Sequence, residues 1–344
     1  MMPKATVPPV NAKPAVEVAP SIADVSYRTY DGELRNRSAR WWTITLATLR
    51  TGAKKLGYWI PAGIVLLIYL ISGLVFYFTR NARAQFGAEE PANQYAVFLS
   101  QGLSGTGLLL FIAALTVGAG SIAADNKANA LLVYLSKPIT RLDYLVGKWV
   151  GVFLLLAGLS FVPALLMYLF FLVAYSGDGF LKDNPTLILR LVAATLFPAA
   201  LHTSLVMGFS ALSKSPRLAG SLYAAFYFVS LIVAVTASQL MLSRDTGGKN
   251  GATTALVASL SVPGINDGLA QHLYDLTPKQ IAQNNGGRRR NRRRRAGAEE
   301  ETPLPIVTAE RPPLVPLLLI GGALIALPIG IAAARVRAVE VVRG

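Results

Sequence analysis

Ser104, in GLSG at 102–105, and His202 are the residues of this chain whose types suggest nucleophilic chemistry. A serine attacks a peptide bond only when a base sits within hydrogen-bond reach, about 2.6–3.2 Å. Both residues fall in long apolar runs, so the reaction would be peptide hydrolysis inside a membrane. Depth opposes it. With the orientation derived below, Ser104 lies a few residues from the outer surface, whereas His202 lies roughly 22 Å down its helix at about 1.5 Å per residue. The two are expected to miss each other by on the order of 10 Å. GLSGTG then reads as a small-residue packing surface, and His202 as an imidazole bonded to a neighbouring helix.

Other chemistries are narrowed by what the chain contains. It has no cysteine, which removes disulfides, thiolate catalysis and Cys-type metal sites. His272, Asp267 and Asp275 are too sparse for a metal site. A nucleotide-binding G-x-x-x-x-G-K-[ST] loop is missing: VGK at 146–148 and GGKN at 247–250 lack the upstream glycine and the following Ser or Thr. The chain therefore hydrolyses no ATP through such a loop, and no cofactor is expected on it. The net charge of +15 includes seven arginines from RRRNRRRR at 288–295. Gly, Asn and Glu flank that run without interleaved aromatics, so it reads as a solvated charge run, and no nucleic-acid partner is expected.

The elements that would position any site are membrane helices. Of 344 residues, 53% are hydrophobic and 15% charged, against about 25% charged in soluble domains. Six runs are long enough to cross about 30 Å of hydrocarbon: 58–78, 101–123, 149–174, 187–212, 219–242 and 314–334. Lys and Arg cluster before span one, between spans two and three, between four and five, and after six, which places both termini in the cytoplasm. The fold class is thus an all-α polytopic membrane protein. Residues 1–34 read as a disordered Pro- and Ala-rich tail. Residues 35–57 read as an interfacial amphipathic helix, where Trp41 and Trp42 sit among Arg40, Arg50, Lys54 and Lys55. Residues 58–242 hold spans one to five, 243–313 form a long extracytoplasmic loop with the Arg run, and 314–344 hold span six and a basic tail. A competing reading makes 252–266 a seventh, re-entrant or spanning piece.

Between spans two and three the chain stops to lay out ADNKANALLVYLSKPITRLDYLVGK, residues 124–148. Residues 122–136 read as a short helix with Ala130, Leu131, Tyr134 and Leu135 on one face and Asp125, Lys127 and Asn129 polar. Pro138 ends it. Thr140 is a predicted N-cap, with Asp143 in the first turn of the helix that continues into span three. Helix connections need only about 2–8 residues. The excess length favours a cytoplasmic docking element joined at both ends to membrane helices.

At these residues the chain resembles the permease subunits of ABC-2 type ABC transporters. That family carries an acidic residue soon after span two, a short helix, and a pattern like L-x-L-S-x-P-[IL]-[ST]-R-x-[DE]-Y-x-x-G-K leading into span three. Here the pattern is LVYLSKPITRLDYLVGK at 132–148, with Leu135, Ser136, Pro138, Ile139, Thr140, Arg141, Tyr144, Gly147 and Lys148 in agreement and Asp125 in the acidic position. The resemblance implies a coupling helix at about 122–136. Asp125, Lys127, Asn129, Leu131, Tyr134, Leu135, Ser136, Pro138 and Arg141 would then dock an ATP-binding cassette ATPase subunit that carries ATP and Mg. It also implies a second permease subunit, identical or related, membrane lipid as a partner, and a bacterial inner (cytoplasmic) membrane location. Export is the usual direction in the family, and its connection between spans five and six often holds helices that dip back into the membrane, a part that residues 252–282 would play. The long Arg-rich insertion departs from the family pattern. A membrane scaffold that docks a cytoplasmic partner and moves nothing is the second reading, and a rhomboid-like intramembrane serine protease the third.

Overall fold

The computed structural model describes residues 40–87, 93–128, 139–244, 251–277, 280 and 310–336. Eleven helices are found among them, in chain order: α1 (Arg40–Ala53), α2 (Leu56–Gln85), α3 (Gln94–Gly118), α4 (Ala123–Lys127), α5 (Arg141–Ala174), α6 (Phe180–Asp183), α7 (Leu187–Leu212), α8 (Pro216–Arg244), α9 (Gly251–Ala258), α10 (Val262–Leu273) and α11 (Leu314–Arg335). Helices α2, α3, α5, α7, α8 and α11 are the six that are long and apolar enough to cross a membrane. The tail at 1–34 and the Arg run at 288–295 lie outside the described residues.

The expected spans are all present, but most are longer than their hydropathy suggests. Span four, α7, begins and ends with its apolar run. Span one continues to Gln85, span two begins at Gln94, and span three begins at Arg141. Hydropathy marks only the part of a helix that needs hydrocarbon. Backbone hydrogen bonding carries the helix further until a cap or breaker stops it. For α5 the start is a capping box. Thr140 Oγ1 accepts from Asp143 N at 3.1 Å, and Asp143 Oδ2 accepts from Thr140 N at 3.1 Å.

Two expected elements change length. The helix expected over 35–57 is α1, 14 residues from Arg40 to Ala53; Lys55 turns extended (φ −82°, ψ 122°) and separates it from α2. In the connection after span five, α9 and α10 have 8 and 12 residues. At about 1.5 Å per residue neither spans the bilayer, so 252–266 is not a seventh crossing.

The six long helices differ in how much they bury. The most apolar stretch of α7 is 72% buried, against 22% for α2, 22% for α8 and 11% for α11. Helix α7 is therefore the central post, flanked by α3 and α5, while α2, α8 and α11 turn leucines, isoleucines and valines outward. Such faces need lipid or another apolar surface. Beside α7, packing is by small residues. A Cβ at Gly208 would stand 2.5 Å from Pro328 Cβ of α11, and one at Gly118 2.3 Å from Val206 Cγ1. Without a hydrophobic drive between helices in lipid, this closeness supplies the van der Waals gain.

The same device seats α1 on α5. A Cβ at Gly147 would fall 2.6 Å from Trp41 O and 2.7 Å from Ile44 Cβ, and one at Gly151 2.6 Å from Thr48 Cβ. Thr45 Oγ1 lies 3.1 Å from Gly147 O, so a hydroxyl of α1 donates to a buried carbonyl of α5. Gly147→Val is expected to lift α1 and cost about 1–3 kcal/mol by overpacking. Thermal unfolding in detergent, read by the fluorescence of Trp41, Trp42 and Trp149, checks this. Gly105→Ala, where a Cβ meets open space, should leave the transition unmoved.

Candidate functional site

Span two ends at Gly118, and the chain turns through Ala119–Ile122 into α4. The turn would leave buried amides at the start of α4 without partners. Ser210 of α7 answers them: its Oγ accepts from Ile122 N at 3.0 Å and Ala123 N at 2.9 Å, and donates to Ala119 O at 2.9 Å. Ser210 is wholly buried. A single hydroxyl of span four thus caps the connection leaving span two.

Asp125 then points back to span three. Its Oδ2 accepts from the Tyr144 hydroxyl at 2.7 Å and faces Lys148 Nζ at 2.9 Å. Both charged side chains are mostly buried, at 14% and 17% exposure, and the Tyr144 ring is fully buried. The spacing follows from helix geometry. Tyr144 and Lys148 are four residues apart on α5, so they lie on one face, one turn apart. Asp125 is thus a clasp that closes the base of the 126–143 excursion as well as a candidate docking residue.

Of the other sequence-derived docking residues, Lys127 and Arg141 are exposed on either side of this clasp. Asn129, Leu131, Tyr134, Leu135, Ser136 and Pro138 lie outside the described residues. Tyr144, Gly147 and Lys148 were assigned no docking role, yet they hold Asp125 and α1 in place. Their signal was present in the Y-x-x-G-K ending of the motif, whose residues fall on the α5 face that meets Asp125 and α1.

Beside the clasp, under α1, lies a groove of about 950 Å³. Among the described residues, Arg40, Lys55, Lys148, Arg217 and Asp125 line it, over apolar walls that include Ile44, Leu115 and Ile139. Lys55 Nζ donates to Thr116 O at 2.8 Å. Burial, with the Lys148 charge added, holds the Lys55 pKa below the usual lysine value. The end of the molecule that carries α1 and α4 is therefore basic, with Lys148 tied to Asp125 and other cations available.

The Ser104–His202 pair does not form. Ser104 Oγ donates to Asp267 Oδ1 at 2.7 Å, and His202 Nδ1 is bonded to the Tyr223 hydroxyl. The bond from His202 to a neighbouring helix was expected, although its partner is a tyrosine of α8. Ser104 and His202 nonetheless line one cavity, although their depths were expected to keep them apart. Among the described residues no group of three or more His, Cys, Asp or Glu is placed to hold a metal ion.

Asp125→Asn should leave the Lys148 ammonium buried without a carboxylate, at about 3–5 kcal/mol. Lys148→Met added to it should recover much of that loss, because both charges are then gone. A double-mutant cycle on unfolding in detergent is expected to give a coupling of about 1–3 kcal/mol; additive effects would mean the clasp contributes nothing.

Two comparisons bear on these residues. A family model described as ABC-2 family transporter protein matches residues 6–285, which include α1 to α10 and the whole clasp. A comparison with curated proteins finds no match.

Proposed function

Because the chain belongs to the ABC-2 transporter family, it is a multi-pass membrane permease subunit of an ABC transporter, and we propose that α4 with the segment that follows is its coupling element. In this reading an ATP-binding cassette ATPase binds ATP and Mg2+ on its own chain and docks on the end that carries α1, α4 and the start of α5. The observation that carries the reading is the clasp. A displacement of α4 is passed through Asp125 to Tyr144 and Lys148 of span three, and through the Ser210 cap to span four. Lys127 and Arg141, exposed beside it, suit an acidic partner surface.

The same reading places both termini and the basic groove in the cytoplasm, because Lys and Arg collect at that end, and the family resemblance implies a bacterial inner membrane. Two permease subunits would pair through outward apolar faces, and cargo would leave the cell. A scaffold that docks a partner without transport shares the docking surface and is separated from this reading by substrate-dependent ATP turnover in proteoliposomes.

Gentle purification of the tagged protein from native membranes is expected to bring down an ATP-binding subunit. Lys127→Glu with Arg141→Glu, and separately Leu131→Asp with Leu135→Asp, should lose it while the permease remains folded. Recovery of the permease without any ATPase under several mild conditions would sink the coupling reading. Sidedness is tested on a clean background, since the chain has no cysteine. Lys127→Cys should react with a membrane-impermeant maleimide only after permeabilisation, and Ser176→Cys, in the turn after α5, in intact cells. The reverse pattern would invert the topology.

A further inference from the structure

The basic groove beneath α1 has room for a ligand. It holds about 950 Å³, at the upper end of the roughly 300–1,000 Å³ of sites that take small molecules. Asp125 balances Lys148, and Arg40, Lys55 and Arg217 add further positive charge to the same lining. Lys55 and Lys148 stand close enough for their charges to repel. Two like charges in a half-buried wall are relieved by an anion that both can reach. Ile44, Leu115 and Val117 give the same groove an apolar wall, so a ligand that fits it has a charged end and an apolar body.

Where the cations stand narrows the ligand further. Lys55 directly precedes α2, whose Leu56, Trp59 and Ile60 are exposed. Arg217 is the second residue of α8, whose Leu218 and Leu222 are exposed. Each therefore stands at the end of a long apolar helix, where its outward face begins. Tryptophans at such ends sit at headgroup level, and basic pockets between helix ends take anionic headgroups. A small soluble anion would leave the apolar wall unused. An acidic protein surface would meet the exposed Arg217, but Lys148 is only 14% exposed and Lys55 is half-buried, which favours a ligand slim enough to enter. We infer that this groove binds an anionic phospholipid, with its phosphate among the cations and its chains against the apolar wall. The site does not depend on the ATPase reading.

Titration of the full chain in a neutral detergent with phosphatidylglycerol brominated on its acyl chains tests this through tryptophan quenching. The four tryptophans of the chain lie on α1, in the first turn of α2 and near the start of α5. Saturable quenching is expected at a mole fraction about tenfold or more below that needed with brominated phosphatidylcholine, which has the same chains and no net charge. Lys55→Gln with Arg217→Gln should remove about tenfold or more of that preference, and Arg217→Gln alone, at an exposed position, should weaken it in the same direction. Arg83→Gln with Lys182→Gln removes two exposed charges outside the groove and should leave the titration unchanged. Glycerol phosphate, the headgroup without chains, should not displace the lipid at equal concentration. Thermal transitions confirm that each variant is folded. Displacement by glycerol phosphate, or an equal loss in the Arg83 and Lys182 variant, overturns the site. Equal quenching by the two lipids, or an unchanged preference in the folded groove variants, overturns it too and leaves these cations to an acidic protein partner.

Discussion

The Asp125 carboxylate, held by the Tyr144 hydroxyl and the Lys148 ammonium, is the contact on which the basic end of this protein depends. A mostly buried carboxylate and ammonium are tolerable only as a pair, because each alone would carry a large desolvation penalty. The pair therefore fixes α4 relative to span three. The Ser210 cap fixes the same short element relative to span four, by satisfying amides that have no helical partner of their own. Together these contacts tie the connection that leaves span two to spans three and four.

The membrane sets how the rest is arranged. Apolar side chains gain little by leaving lipid for one another, so the helices are held by close approach and by hydrogen bonds. Gly147 and Gly151 bring α1 onto α5, Gly118 admits Val206, and Gly208 admits Pro328. Thr45 and Ser210 add hydroxyl bonds at these meeting points. The gradient of burial from α7 outward to α2, α8 and α11 follows, with the outer helices left to face lipid or a second apolar surface. Among the described residues, Arg40, Lys55, Lys148 and Arg217 line the groove beneath α1, and Asp267 and Glu310 line the cavity beside α10.

Much of this was legible in the chain. Apolar run length gave six spans, because a hydrocarbon core imposes a minimum length on every crossing. Span four was read to its residue limits, since Pro185 and Ser213–Pro216 bound an apolar run with no amphipathic extension. The Thr140–Asp143 cap was legible because capping is local. The motif at 132–148 pointed to the family, and the family match agrees. Less legible were the helix ends beyond the hydrocarbon, as with α2 running past Arg80. That arginine reads as a loop charge, but it lies within α2, pairs with Asp178 at 2.9 Å and sits over the Tyr175 ring. Neither partner is close in sequence, so no local pattern could announce them.

The sequence by itself determined that this is a helical membrane protein with six spans, a further short helix before span one and a family motif before span three. Those are properties of local composition and of short-range order along one chain. Only the tertiary structure decided that Asp125 meets Tyr144 and Lys148, that one serine of span four caps the turn after span two, and that Ser104 serves Asp267 while His202 serves Tyr223. Each of these is a bond between residues 19 to 163 positions apart. Which distant donor reaches which acceptor depends on how the helices pack, and packing is a property of the whole bundle.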